Sequence, residues 1–110
     1  MSAASDQSGL RLQHMGDCTY ALEGELDMAT APVLEASFAE VRGPIRFDLG
    51  ALNFLDSSGL RALIRLYQRC EADGCSFHIV GCSPPVERIL RMVDVYDALT
   101  LSPANPIPTA

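Results

Sequence analysis

Positive charge is scarce in this sequence: eight basic residues, all of them arginine, stand against fourteen Asp and Glu, a formal net charge of −6. Such a balance repels nucleic-acid phosphates and anionic membrane surfaces alike, so the expected partners are proteins with neutral or basic faces. Long apolar runs are absent as well. Nothing approaches the ~20 residues that a membrane-spanning helix requires, and Met1 to Gly9 is polar, without the basic-then-apolar order of a signal peptide. A cytoplasmic location is expected. The four cysteines, Cys18, Cys70, Cys75 and Cys82, are even in number but lack the paired C-x-x-C spacing of structural zinc sites. A zinc site would have to combine Cys70, Cys75 and Cys82 with His78, and on a strand over Phe77 to Val80 nothing makes those side chains converge. Without an export signal, free thiols packed as small hydrophobes are the expectation, with no metal and no cofactor. Histidine is limited to His14 and His78, both in strand-like stretches, which leaves a serine nucleophile without an obvious base. No enzymatic activity and no catalytic residue are expected.

What remains is enough for one core. The chain has 110 residues and is 48% hydrophobic, the size of a single domain. Residues 1–8 and the proline-rich 102–110 carry no apolar periodicity and read as flexible tails, leaving a folded unit over 9–101. Leu10, Leu12 and His14 alternate with polar neighbours. After the turn signal Gly16-Asp17 the pattern resumes with Cys18, Tyr20 and Leu22, predicting a hairpin. Thr30-Ala31-Pro32 opens a helix with Val33, Leu34, Ser37, Phe38 and Val41 on one face, closed by Gly43-Pro44. A short strand, Ile45 to Leu49, follows. A second helix starts at Ser57 or Ser58 and runs to Asp73-Gly74. Its apolar stripe is Leu60, Leu63, Ile64, Tyr67 and Cys70, opposite Arg61, Arg65, Gln68 and Arg69. Phe77 to Val80 is a strand, and Pro84-Pro85 begins a third helix with Val86, Ile89, Leu90 and Val93 inward. Leu99 to Leu101 could add an edge strand. The expected fold class is α/β: a mixed sheet with an initial antiparallel hairpin, parallel strands joined by right-handed crossovers, and about three helices packed on it.

The segment Phe47-Asp48-Leu49-Gly50-Ala51-Leu52-Asn53-Phe54-Leu55-Asp56-Ser57-Ser58-Gly59-Leu60 lies between a strand and the second helix. Asp56, Ser57 and Ser58 are all good N-cap residues, and any one of them would suffice. Gly59 inside the first turn costs about 1 kcal/mol relative to alanine, which points to a close approach of something to that backbone. A serine on such a strand-to-helix corner is also open to a kinase. The spacing is not the G-x-S-x-G of a nucleophile elbow. In Gly24-Glu25-Leu26-Asp27, either Asp27 or Thr30 could cap the first helix. If both helices start at one end of the sheet, Asp27 also comes near Asp56, and a phosphate beside that acidic pair would be unwelcome to an approaching partner.

Taken together, Gly24-Glu25-Leu26-Asp27, Phe47-Asp48-Leu49, Phe54-Leu55-Asp56-Ser57-Ser58-Gly59-Leu60 and Ile79-Val80-Gly81-Cys82-Ser83-Pro84-Pro85-Val86 with Leu90 resemble the STAS-domain anti-sigma factor antagonists, over roughly Leu10 to Leu101. The resemblance implies a STAS-type single domain and a partner-switching cycle. The unmodified protein would bind an anti-sigma factor that is also a serine kinase and so free a sigma factor for transcription; phosphorylation would end the binding and a serine phosphatase would restore it. It further implies Ser57 as the phosphate acceptor and Asp27 as part of the partner-facing surface, joined here by Asp56, Ser58, Gly59 and Arg61. Arg61 departs from the small residue that many members carry after Ser-Ser-Gly-Leu. With Arg65 it could meet a phosphate on Ser57, contact a partner, or simply form a solvated helix face. A related use of the same fold, as an accessory subunit of a lipid-transport ABC ATPase, would be indifferent to that first serine.

Overall fold

The computed structural model describes residues 6–7 and 9–100. The tails expected over 1–8 and 102–110 lie outside them, except for Asp6–Gln7, which forms a short strand β1. It is followed by β2 (Leu10–Gly16), β3 (Thr19–Leu26), α1 (Ala31–Ser37), β4 (Ile45–Leu55), α2 (Ser57–Ala72), β5 (Phe77–Cys82), α3 (Pro84–Met92) and α4 (Tyr96–Thr100). The strands make one five-stranded sheet in the order β1-β2-β3-β4-β5. β2 and β3 are the expected antiparallel hairpin, turned at Gly16 and Asp17 with φ of 134° and 48°. β4 runs parallel to β3 and to β5, as strands joined through helices must.

The fourth strand is longer than the five residues its alternation predicts. It continues through Gly50 to Leu55, because extra residues at two points in its pairing with β3, between Asp48 and Ala51 and between Leu52 and Phe54, shift the inward phase. Ile45, Phe47, Leu49, Leu52 and Leu55 are therefore all buried, although a strict period of two fails after Leu49. Arg46, Asp48, Asn53 and Phe54 between them are exposed, so the helices cover one face of the sheet. The core runs edge to face through aromatic rings: Tyr20 on Phe38 at 4.8 Å, Phe38 on Phe47 at 5.2 Å and Phe47 on Phe77 at 5.6 Å. Each such pair contributes about 0.5–1.5 kcal/mol beyond its buried area.

The helices depart from expectation in instructive ways. α1 stops at Ser37, with only Ala31, Leu34 and Phe38 of its face buried and Ser37 exposed. Its end is held from α2: the Arg69 guanidinium donates to the carbonyls of Phe38 and Val41 at 2.7 and 2.8 Å. Arg69, expected on the solvated face, is thus half-buried and serves as a cap from outside the helix. In α2 the buried residues are Gly59, Ala62, Leu63, Leu66 and Cys70, so the inward stripe is rotated, leaving Leu60, Ile64 and Tyr67 on its shoulder. The reason is Gly59, whose missing side chain lets that line of the helix sit deepest. α3 begins at its prolines as expected and buries Val86 and Leu90, with Val93 left exposed at its end. Ser83, just before α3, donates its hydroxyl hydrogen to the Leu52 carbonyl and ties that helix to β4. The described part of the last apolar piece is helical, not an edge strand: Leu99 is buried on α4, whose Leu99 N–H bonds the Val95 carbonyl at 3.0 Å, and Leu101 lies outside the described residues.

Candidate functional site

The parallel pairing of β3 and β4 brings Leu26 beside Leu55, so the segments leaving the two strands emerge together at one end of the sheet. Asp56 leaves β4 with its N–H on the Leu26 carbonyl at 3.2 Å and its backbone extended. Its carboxylate then serves two elements. Oδ1 accepts from the Gly59 N–H at 2.9 Å, capping α2, and Oδ2 accepts from the Met28 N–H at 3.1 Å, in the turn before α1. Of the three candidate caps, Asp56 is the one used. It also welds the two helix starts together.

Asp27 builds the neighbouring turn. Its Oδ1 accepts from the N–H groups of Ala29 and Thr30 at 3.0 and 3.1 Å. The Asp27 N–H in turn donates to the Thr30 hydroxyl at 2.8 Å, and that hydroxyl donates to the Glu25 carbonyl at 2.9 Å. Thr30 is fully buried, and this network satisfies it. Thr30 occupies the N-cap position of α1 without making a side-chain cap. Asp27 and Asp56 are thus neighbours, as the sequence suggests, joined through the hydrogen bond at Met28.

Ser57 is the first residue of α2 and is exposed; Ser58, next to it, is half-buried. What comes close to Gly59 belongs to the chain itself. A Cβ at Gly59 would lie 2.4 Å from the Leu26 carbonyl oxygen and 2.8 Å from Leu26 Cγ, so the absent side chain is what allows α2 to start against the end of β3. Gly59 is buried, while Arg61 is exposed one turn after Ser57 and makes no ion pair or hydrogen bond among the described residues. Arg65 differs, since its guanidinium reaches across to Glu35 of α1 at 3.3 Å. A cleft of about 210 Å³ between α1 and α2 is lined by Met28, Pro32, Glu35, Ser58, Arg61 and Arg65, and a depression of about 330 Å³ beside it by Ser57, Leu60, Arg61, Ile64, Arg65 and Gln68.

Two exposed apolar side chains near the ends of β3 and β4 were not singled out by sequence reasoning: Met28, which lines the α1–α2 cleft with Ser58, and Phe54, on the sheet face that the helices leave open. Met28 is 74% exposed and Phe54 is 47% exposed. Their signal was an apolar residue out of phase with any helix or strand: Met28 inside a polar turn, Phe54 at a strand position where the bulge reverses the alternation. Both histidines sit elsewhere. His14 pairs with Tyr20 at the hairpin end of β3, six residues and about 20 Å of strand from Leu26. His78 pairs with Arg46, nine residues and about 30 Å of strand from Leu55. Neither imidazole can take a proton from Ser57. Burial, with Arg46 close by, holds the His78 pKa below the ordinary histidine range. Burial also pushes the Cys82 thiol up to about 11, aided by Glu87 and Asp48, and raises Cys70. Both shifts disfavour the nucleophilic thiolate form. All four cysteines are free, and among the described residues no cluster of three or more His, Cys, Asp or Glu side chains converges as a metal ion needs.

Comparison with known proteins identifies the family. The STAS domain model matches residues 11–105, nearly the whole described unit. The chain belongs to the STAS-domain family. This STAS protein is 28% identical over 86 residues to the anti-sigma-B factor antagonist of Bacillus subtilis (strain 168), which covers 76% of each chain. Among solved structures it superposes on the anti-sigma factor antagonist SpoIIAA in its unphosphorylated form with a TM-score of 0.65, at 21% identity over 79% of this chain and 82% of the other. A second match is an anti-sigma factor antagonist from Mycobacterium paratuberculosis, with a TM-score of 0.63 and 27% identity over 86% and 88% of the two chains. The relatives are regulatory proteins. No described helix is long and apolar enough to cross a membrane.

Proposed function

We propose that this STAS protein is a cytoplasmic anti-sigma factor antagonist switched by phosphorylation of Ser57. Unmodified, it binds an anti-sigma factor that is also a serine kinase, and a sigma factor is released. The kinase transfers the γ-phosphoryl group of ATP to Ser57 Oγ, the hydroxyl proton is lost, and the complex separates; a serine phosphatase returns the hydroxyl by hydrolysis. The observation that carries this reading is the setting of Ser57: an exposed hydroxyl on the corner where Asp56 holds the starts of α1 and α2 together. Asp27, Asp56, Ser57, Ser58 and Arg61 form the polar part of the partner-facing surface, with Gly59 holding it against β3. Met28, exposed beside Ser58 and Arg61 at the cleft, supplies apolar contact of the kind that dominates binding energy at interface centres.

Phosphorylation adds a charge of about −1.5 to −2 beside two carboxylates that are already in place. At the start of a helix that charge is locally favourable, so the domain stays folded. Binding is lost because bulk and negative charge appear at the contact surface, where like charges oppose docking by several kcal/mol. A pull-down from native cytoplasm with wild-type and Ser57→Asp protein tests the reading. An anti-sigma factor retained by wild type and lost by the variant supports it; retention of a membrane ATPase by both proteins would replace it with an accessory-subunit role.

A further inference from the structure

We propose that Arg61 captures the phosphate on Ser57 from within the same helix, so that the modified switch is a closed ion pair. The inference rests on Ser57 being the modified residue and goes on to say what the phosphate binds. Ser57 and Arg61 are four residues apart on α2 and line the same depression, together with Leu60 and Ile64. Helical side chains lean towards the N-terminus, so a long side chain at the fourth position sweeps back over the first. An acidic group preceding a basic one by four residues is the favourable order for such a pair. Arg61 is available for it: exposed, and without an ion pair or hydrogen bond among the described residues. Arg65 also lines that depression but is not equivalent. It is held by Glu35, and eight residues of helix put its Cα about 12 Å from that of Ser57.

Capture has a consequence for the switch. In the unmodified protein Arg61 borders both the α1–α2 cleft and the Ser57 depression, and is free to meet an acidic group on the partner. In the phosphorylated protein the guanidinium forks onto phosphate oxygens and is withdrawn from that role. One modification therefore adds negative charge and removes a positive contact. It also shields the phosphate ester from the phosphatase, so dephosphorylation is slower than Arg61 variants would allow.

The test uses full-length protein with phosphoserine installed at position 57 during synthesis, so that no kinase is required, and follows the phosphorus resonance through a pH titration. The ion pair favours the dianion, so the midpoint in the wild-type background lies below that of Arg61→Ala by at least about 0.2 pH unit. Arg61→Lys recovers part of the difference, and Arg65→Ala leaves the midpoint unchanged. Coincident titrations of wild type and Arg61→Ala overturn the proposal, as does a larger rise in Arg65→Ala. Circular dichroism establishes that each variant is folded. A cognate kinase that leaves Ser57 unmodified would instead overturn the functional reading, while the titration still reports whether the pair forms.

Discussion

Replacing Asp56 with alanine removes two hydrogen bonds that belong to different helices. The cap on the Gly59 N–H, 2.9 Å long, is of a kind whose loss costs about 0.5–2 kcal/mol. The second bond, 3.1 Å to the Met28 N–H, has a charged acceptor but lies at an exposed turn, so about 1 kcal/mol is its reasonable share. The two together predict a loss of about 2 kcal/mol, which in a domain of this size lowers the melting temperature by roughly 10 °C. An asparagine side chain at this position would present one oxygen where two N–H groups need one each, so Asp56→Asn should fall about midway. Thermal melts by circular dichroism give the sum, and amide exchange divides it: Gly59 and Met28 should both lose protection in Asp56→Ala while β3 and β4 retain theirs. A variant melting within about 2 °C of wild type would refute the weld between the helix starts.

Other positions give sharper contrasts. Gly59→Ala should gain about 1 kcal/mol of helix propensity, yet the 2.4 Å approach to the Leu26 carbonyl should outweigh it and leave a net loss of about 1–3 kcal/mol in urea unfolding; a stabilised variant would contradict the packing. Gly24→Ala should be worse, since φ is +99° and a Cβ would sit 1.9 Å from the Gly9 carbonyl oxygen; failure to accumulate folded protein is the expected result, and a melt unchanged from wild type the contrary one. His78 has a folded-state pKa below its unfolded value, so it contributes stability above the ordinary histidine range that is lost as pH falls through the folded pKa. His78→Gln should flatten that part of the stability profile, and an unaltered profile would count against the shift. With its thiol pushed up to about 11, half-buried Cys82 should resist alkylation at about pH 7.5 in folded protein, as peptide mapping would read; rapid labelling would contradict the raised pKa.

Much of this was legible in the chain. The hairpin, the parallel crossovers and the second helix follow from alternation, a turn signal and a 3.6-residue stripe, and the approach of Asp27 to Asp56 follows from two helices starting at one end of a sheet. The bulges in β4 were hidden, because an extra residue in one strand is visible only against its partner. Gly59 in a first helical turn signals a close approach, but the approaching group is Leu26 of the same chain, far from α2 in sequence and remote from it until the sheet forms. Arg69 reads as a solvated arginine in the sequence since nothing local marks a side chain that caps another helix. Leu99 was ambiguous for a simpler reason: a short apolar piece has no period by which helix and strand can be told apart.

As a switch, Ser57 should act on binding and not on folding. The direct measurement is titration of the cognate anti-sigma factor with unmodified, Ser57→Ala and phospho-Ser57 protein, each verified as folded by circular dichroism. Asp56, not Ser57, caps α2, so Ser57→Ala should melt with the unmodified protein and bind within a few-fold of it. Phospho-Ser57 should bind at least about 100-fold more weakly while keeping its helical signal. Equal affinity for the phosphorylated and unmodified forms would contradict the switch, and loss of binding that coincided with melting of the domain would contradict its mechanism.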